Sequence, residues 1–209
     1  MPLPDEYFTV RSRGTALIKV KGSRFIASVA MISSEEEARA VLAQLSQKHF
    51  DATHNCYAYR VGHGDRAVFR FSDAGEPSST AGRPILEAIE GRGLTNTLVV
   101  VSRYFGGTKL GTGGLARAYK KSALAALDKV GTKRVFQTDE FSLNFPYHLT
   151  KEVQRLLKKH DGRIVEEKYG QKASLTITVR KSRSEGFREE LAILGPGEVK
   201  VSDTRVSED

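Results

Sequence analysis

A continuous apolar run, Thr97-Leu-Val-Val-Val-Ser102, passes through Arg103 into Tyr104-Phe-Gly-Gly-Thr-Lys-Leu-Gly-Thr-Gly-Gly-Leu-Ala-Arg-Ala-Tyr119. Branched residues without polar alternation need apolar surroundings on both faces, so this run predicts a covered central strand. A helical pattern follows, with Leu115, Ala118, Tyr119, Ser122, Ala125 and Ala126 on one face and Arg117, Lys120 and Lys121 mainly on the other. The intervening glycines admit two readings. Backbone amides near Gly113 and Gly114 can bind an anion at the helix N-terminus, with Arg103, Lys109 or Arg117 supplying charge. Alternatively, the glycines solve a tight strand-to-helix crossing. The spacing matches neither the nucleotide P-loop nor the Rossmann fingerprint.

Upstream, residues 7–32 read as strands interrupted near Gly14 and Gly22, followed by a helix capped at Ser33 or Ser34 with Glu35–Glu37 in its first turn. Residues 55–61 and 66–71 read as paired strands. The polar loop Ser72–Gly82 leads into a short helix, Pro84–Glu90. After a boundary near residues 130–137, the chain has a β-α-β-β-α-β rhythm, with a hairpin around Gly170 and Pro196-Gly197-Glu198 before a last short strand. The expected fold is α+β in two domains, 1–133 and 134–209.

The 209 residues carry a net charge of +8, with 18 basic against 12 acidic residues in 1–130 and 15 against 13 in the remainder. The excess favours contact with nucleic acid or an acidic protein face. One cysteine, Cys56, excludes an intrachain disulfide framework. No apolar run reaches membrane length, and Met1-Pro-Leu-Pro-Asp-Glu lacks the order of a signal peptide, so a cytoplasmic address is expected.

Other candidate residues have competing roles. Tyr104 and Phe105 can stack on bases or flank a groove, or they can anchor the strand end. Asp73 and Glu76 can bind a cation or act as a base, or they can order their loop. Arg83 can extend the basic surface or pair with Glu87. His54 and Cys56 share one side of a strand and Asn55 the other; no orienting acid or oxyanion hole accompanies them, so a buried thiol is expected rather than a nucleophile. No zinc-ligand spacing is recognisable. Lys151, Arg155, Lys158 and Lys159 give a second basic helix face, diluted by nearby glutamates.

Five segments in order carry a resemblance: Lys21-Gly-Ser-Arg-Phe-Ile, Ala52-Thr-His-Asn-Cys-Tyr-Ala-Tyr, Phe71-Ser-Asp-Ala-Gly-Glu-Pro, Thr80-Ala-Gly-Arg-Pro-Ile and Val101 through Tyr119. On these the chain resembles the YigZ/IMPACT family, UPF0029, in its bacterial two-domain form. The resemblance implies an N-terminal domain like ribosomal protein S5 domain 2, a ferredoxin-like C-terminal domain and a connection with translation. It also implies a groove lined by His54, Asn55, Tyr57, Asp73, Glu76, Arg83, Arg103, Tyr104, Gly106, Gly107, Lys109, Gly111, Thr112, Gly113, Gly114 and Arg117. One departure is Ser78-Ser79-Thr80, where the family often has Ser-Gly-Thr. The eukaryotic relative's extra RWD-type domain is not expected here, and its partner is not carried over. The resulting expectation is a non-catalytic RNA- or ribosome-associated protein that modulates translation, without cofactor, metal or membrane. The alternatives are a phosphate-substrate enzyme and a protein-interaction scaffold. A regulatory protein partner is compatible, and no oligomeric state follows from the sequence.

Overall fold

The computed structural model describes residues 5–195 and 197–204; Met1-Pro-Leu-Pro and Pro196 lie outside the described residues. The chain divides into two compact units. One is Tyr7–Arg134; the other runs from Val135 and includes the residues up to Glu6.

In the first unit the strands are β1 (Glu6–Val10), β2 (Gly14–Val20), β3 (Ser23–Met31), β4 (His54–Val61), β5 (Val68–Ser72), β6 (Thr97–Tyr104) and β7 (Thr132–Phe136). The helices are α1 (Glu35–Lys48), α2 (Gly82–Glu90) and α3 (Thr112–Val130). The five-stranded sheet has the order β2-β3-β6-β4-β5, and all its neighbouring strands are antiparallel. The first seven residues of β6 are buried. Its alternate side chains enter two cores: Val99 and Val101 pack with residues of α2 and α3, while Leu98 and Val100 pack with Ala38 and Val41 of α1. This double cover accounts for the unbroken apolar run. The Ser34 hydroxyl accepts the Glu37 amide at 3.1 Å and caps α1. Segment Thr132–Phe136, read from sequence as part of a boundary, is a strand that pairs with β1. Its partner lies more than 120 residues away, beyond the reach of local periodicity.

Two loop segments meet backbone to backbone. Lys21 and Gly22 make the β2–β3 turn with φ of 44° and 82°, the left-handed pair that a two-residue hairpin favours. A Cβ on Gly106 would lie 1.9 Å from the Gly22 carbonyl carbon. The Gly106 amide donates to the Ser23 hydroxyl at 3.1 Å.

The second unit contains β8 (Thr138–Phe145), α4 (Thr150–Lys159), β9 (Arg163–Tyr169), β10 (Ala173–Arg180), α5 (Lys181–Leu194) and β11 (Lys200–Thr204). The antiparallel strand order is β11-β8-β10-β9. Phe141, Leu143, Phe145, Leu175, Ile177 and Val179 face a core completed by Val153, Leu157, Phe187 and Leu191 from the helices. Helix α5 begins at Lys181, directly after β10. Its start is held by Asp5, whose carboxylate accepts the Ser182 hydroxyl at 2.6 Å and amide at 3.2 Å. Burial opposes ionisation of Asp5, but these hydrogen bonds outweigh it and hold the carboxyl below its ordinary range.

Because no side chain fits between Gly22 and Gly106, Gly106→Ala is expected to lower unfolding free energy by about 1–3 kcal/mol, measured by urea denaturation. An unchanged midpoint would show that this backbone approach is dispensable.

Candidate nucleic-acid interface

The end of β6 carries two environments because successive side chains point to opposite faces. On the side of α2 and α3, Arg103 is only 5% exposed, and its Nη1 lies 2.6 Å from Glu76 Oε1. The same carboxylate oxygen accepts the Tyr119 hydroxyl of α3 at 2.7 Å. His54 Nε2 lies 3.9 Å away from it. The expectation that Arg103 offers a free guanidinium to phosphate therefore meets a buried, paired cation. Its role in this geometry is to neutralise Glu76, since a buried charge needs a partner.

Asp73 organises the adjoining loop. Its carboxylate accepts the amides of Ser79, Ala81 and Gly82 at 2.8–2.9 Å, tying the loop to the start of α2. Ser79 takes φ 60°, a conformation most readily supplied by glycine. The departure at Ser78-Ser79-Thr80 is thus accommodated by strained backbone with its amide bonded. Among the described residues, no group of three or more His, Cys, Asp or Glu side chains is arranged to hold a metal ion.

Cys56 is fully buried. Its thiol donates to the Asp73 carbonyl at 2.9 Å, and its sulfur lies 3.4 Å from the Tyr119 hydroxyl. Burial pushes the Cys56 thiol up to about 12. Burial, Cys56 and Glu76 likewise raise the Tyr119 phenol. His54 Nδ1 faces the Ala74 carbonyl at 2.9 Å and must carry a proton to donate there. The cysteine–histidine neighbourhood thus disfavours the thiolate that nucleophilic attack requires.

Asn55 and Tyr57 project to the opposite sheet face. Asn55 accepts the Ser102 hydroxyl at 2.6 Å and donates to the His49 carbonyl at 3.2 Å. Tyr57 stacks on Tyr59 with ring centroids 6.2 Å apart. These two candidates therefore do not share a groove with His54, Asp73 and Glu76. Tyr104 also lies on the Asn55 face. It donates to Asp51 at 2.9 Å, and its oxygen is 3.1 Å from His49 Nδ1.

Residues Phe105–Lys109 and Gly111–Gly113 are exposed. Gly111, at φ 70°, precedes α3 without a side-chain cap, and the first turn contains no acid. Arg117 is exposed, and its Nη1 lies 3.4 Å from the position a Cβ would take on Gly113. A cation thus approaches the positive end of the helix, and an incoming anion would meet both. Arg83 lies 3.7 Å from Glu87, which also pairs with Lys120 at 3.0 Å. Its charge is shared, while exposed Lys109 lies in the loop itself.

These features define a two-unit α+β protein with a basic, glycine-rich strand-to-helix turn over a closed polar interior. An Impact N-terminal domain model matches residues 21–127, and a domain of unknown function, DUF1949, matches 143–195. The chain is 34% identical over 197 residues to IMPACT family member YvyE of Bacillus subtilis (strain 168), covering 94% of this chain and 90% of that one. It is 45% identical over 139 residues to an IMPACT family member in the pol 5' region of Thermus thermophilus, covering 66% and 74%. A crystal structure described as a hypothetical protein aligns at TM-score 0.70 and 32% identity, over 99% of this chain and 100% of that chain. The chain belongs to the IMPACT family.

Two outcomes test the closed interior. Glu76→Ala should lower unfolding free energy by about 3–5 kcal/mol by stranding buried Arg103, measured by urea denaturation. Iodoacetamide at about pH 8 should label native Cys56 only as fast as the protein opens, whereas the urea-unfolded chain reacts as an ordinary thiol. The folded thiol keeps its proton at a pH where the unfolded one loses it. Its stabilising contribution is complete below the ordinary thiol range and is lost as pH rises toward about 12. Rapid native labelling would contradict this burial.

Proposed function

We propose that this protein is non-catalytic, associates with RNA or ribosomal components in the cytoplasm, and modulates translation. The observation carrying this reading is the exposed, uncapped first turn of α3, with Arg117 over Gly113 and Lys109 in the preceding loop. Backbone amides and flexible cations suit phosphate oxygens, whose contacts position a protein on RNA without specifying sequence. The net charge of +8 provides long-range attraction. Membership of the IMPACT family supports an RNA- or translation-related role. The β-α-β-β-α-β order of the second unit and its strand order support the ferredoxin-like reading, and the first unit is read as ribosomal protein S5 domain 2-like.

Lys109, Arg117, Gly113 and Gly114 form the leading contact set, with Arg83 at its margin. His54, Asp73, Glu76 and Arg103 support the scaffold beneath it. The burial of Cys56 and its raised pKa count against nucleophilic catalysis by this thiol.

Binding of a labelled mixed-sequence RNA, and of purified ribosomal subunits, should weaken as salt rises. Lys109→Glu/Arg117→Glu should lower affinity about tenfold or more at moderate salt, with thermal unfolding unchanged. Equal affinity in the two proteins would remove this surface from the function.

A further inference from the structure

The sheet of the second unit has one covered face and one open face. Leu143, Phe145, Ala173 and Leu175 point into the core with α4 and α5, so the residues between them point away from the helices. Register aligns four of these across the whole sheet. Lys200 on β11 opposes Asn144 on β8, Asn144 opposes Ser174 on β10, and Ser174 opposes Lys168 on β9. The next row on the same face is Ser202, Ser142, Thr176 and Glu166.

Side-chain length shapes this face. The two middle strands carry short polar groups, while at the β9–β10 hairpin end both outer strands carry a lysine. Neighbouring strands lie about 4.8 Å apart, so Lys200 and Lys168 rise about 14 Å apart on either side of a low floor. Asn144, Ser174 and Lys168 line one recess with Gln171 and Lys172 of the hairpin. Lys168, Lys172 and Lys200 are all exposed. The acids of this face, Glu166 and Glu140, lie one and two rows away from the hairpin end. Lys168 Nζ is 3.0 Å from Glu166 Oε1, with both side chains more than half exposed. Such a pair is worth little in water and exchanges at small cost for a phosphate contact.

We infer that this trough binds an RNA strand by its sugar–phosphate backbone, with Lys168, Lys172 and Lys200 meeting phosphates and Asn144 and Ser174 meeting the ribose 2′-hydroxyl. The inference rests on the RNA-binding reading above and adds a second contact surface, in the second unit, with a preference for ribose over deoxyribose. Lysines on both banks suit a polyanion. An amide and a hydroxyl on the floor can donate and accept, as the 2′-hydroxyl does, and a DNA strand offers them no partner at that position.

The test is fluorescence anisotropy of the full chain with a labelled oligouridylate of about 12 nucleotides and its deoxy counterpart. Wild-type protein should bind the RNA about fivefold more tightly than the DNA. Lys168→Glu/Lys200→Glu and, separately, Lys172→Glu should weaken RNA binding with thermal unfolding unchanged. The double variant should also flatten the logarithmic salt slope by about 1.4. Asn144→Ala/Ser174→Ala should remove the preference for RNA and leave the salt slope in place. Unchanged RNA affinity in the lysine variants, alongside loss in Lys109→Glu/Arg117→Glu, would overturn the trough and retain the RNA reading. Equal binding of RNA and DNA by the wild-type protein would also overturn it. A labelled polyglutamate peptide bound as tightly as the RNA, and lost in the same lysine variants, would assign the trough to an acidic protein segment instead. Failure of wild-type protein to bind either the RNA or ribosomal subunits would overturn both readings.

Discussion

The Glu76 carboxylate joins three parts of the first unit at one point. It reaches Arg103 on β6 and Tyr119 on α3 from within the loop before α2. Removing these charges from water is costly, and their short contact offsets that cost. The interaction therefore constrains the loop, strand and helix together. Cys56 extends the arrangement from β4 by donating to the Asp73 carbonyl, while the Asp73 carboxylate gathers the amides leading into α2. Polar residues that resemble reactive groups in sequence thus act as internal fasteners.

Around that closed interior lies an exposed turn. The β6 strand delivers Arg103 inward and Tyr104 to the other sheet face, then turns into exposed residues before α3. A rigid strand end can hold a polar loop in position without giving every loop residue a buried partner. Gly106 supplies the close backbone approach, and the later glycines open the helix start. Gly106 is architectural, whereas Gly111 and Gly113 are exposed.

The elements with strong local patterns were legible in sequence. Continuous branched residues indicated covered β6, and the Ser34 cap followed by three acids indicated α1. The β-α-β-β-α-β rhythm after the boundary matches the element order from β8 to β11. Strand β7 was not legible as an element because its short, basic segment depends on a distant partner. Arg103 was misleading for a related reason: charge announces itself in sequence, but its burial depends on Glu76, 27 residues away. Period-two alternation had already put His54 and Cys56 opposite Asn55; extending it would also have separated Tyr57 from the proposed groove.

The distinction between inward and outward cations also explains why net charge alone cannot locate the interface. Arg103 contributes to the total of +8 but has little charge to offer a ligand while paired with Glu76. Arg83 and Lys120 share Glu87. Lys109 and Arg117 are exposed around the α3 turn, whereas Lys19, Lys21 and Arg24 are exposed around the β2–β3 hairpin. The Gly22–Gly106 approach links that hairpin to the loop entering α3. A backbone contact too close to admit a methyl group thereby brings two cationic segments into one neighbourhood, and a flexible polyanion could engage them in succession without disturbing the buried pair beneath.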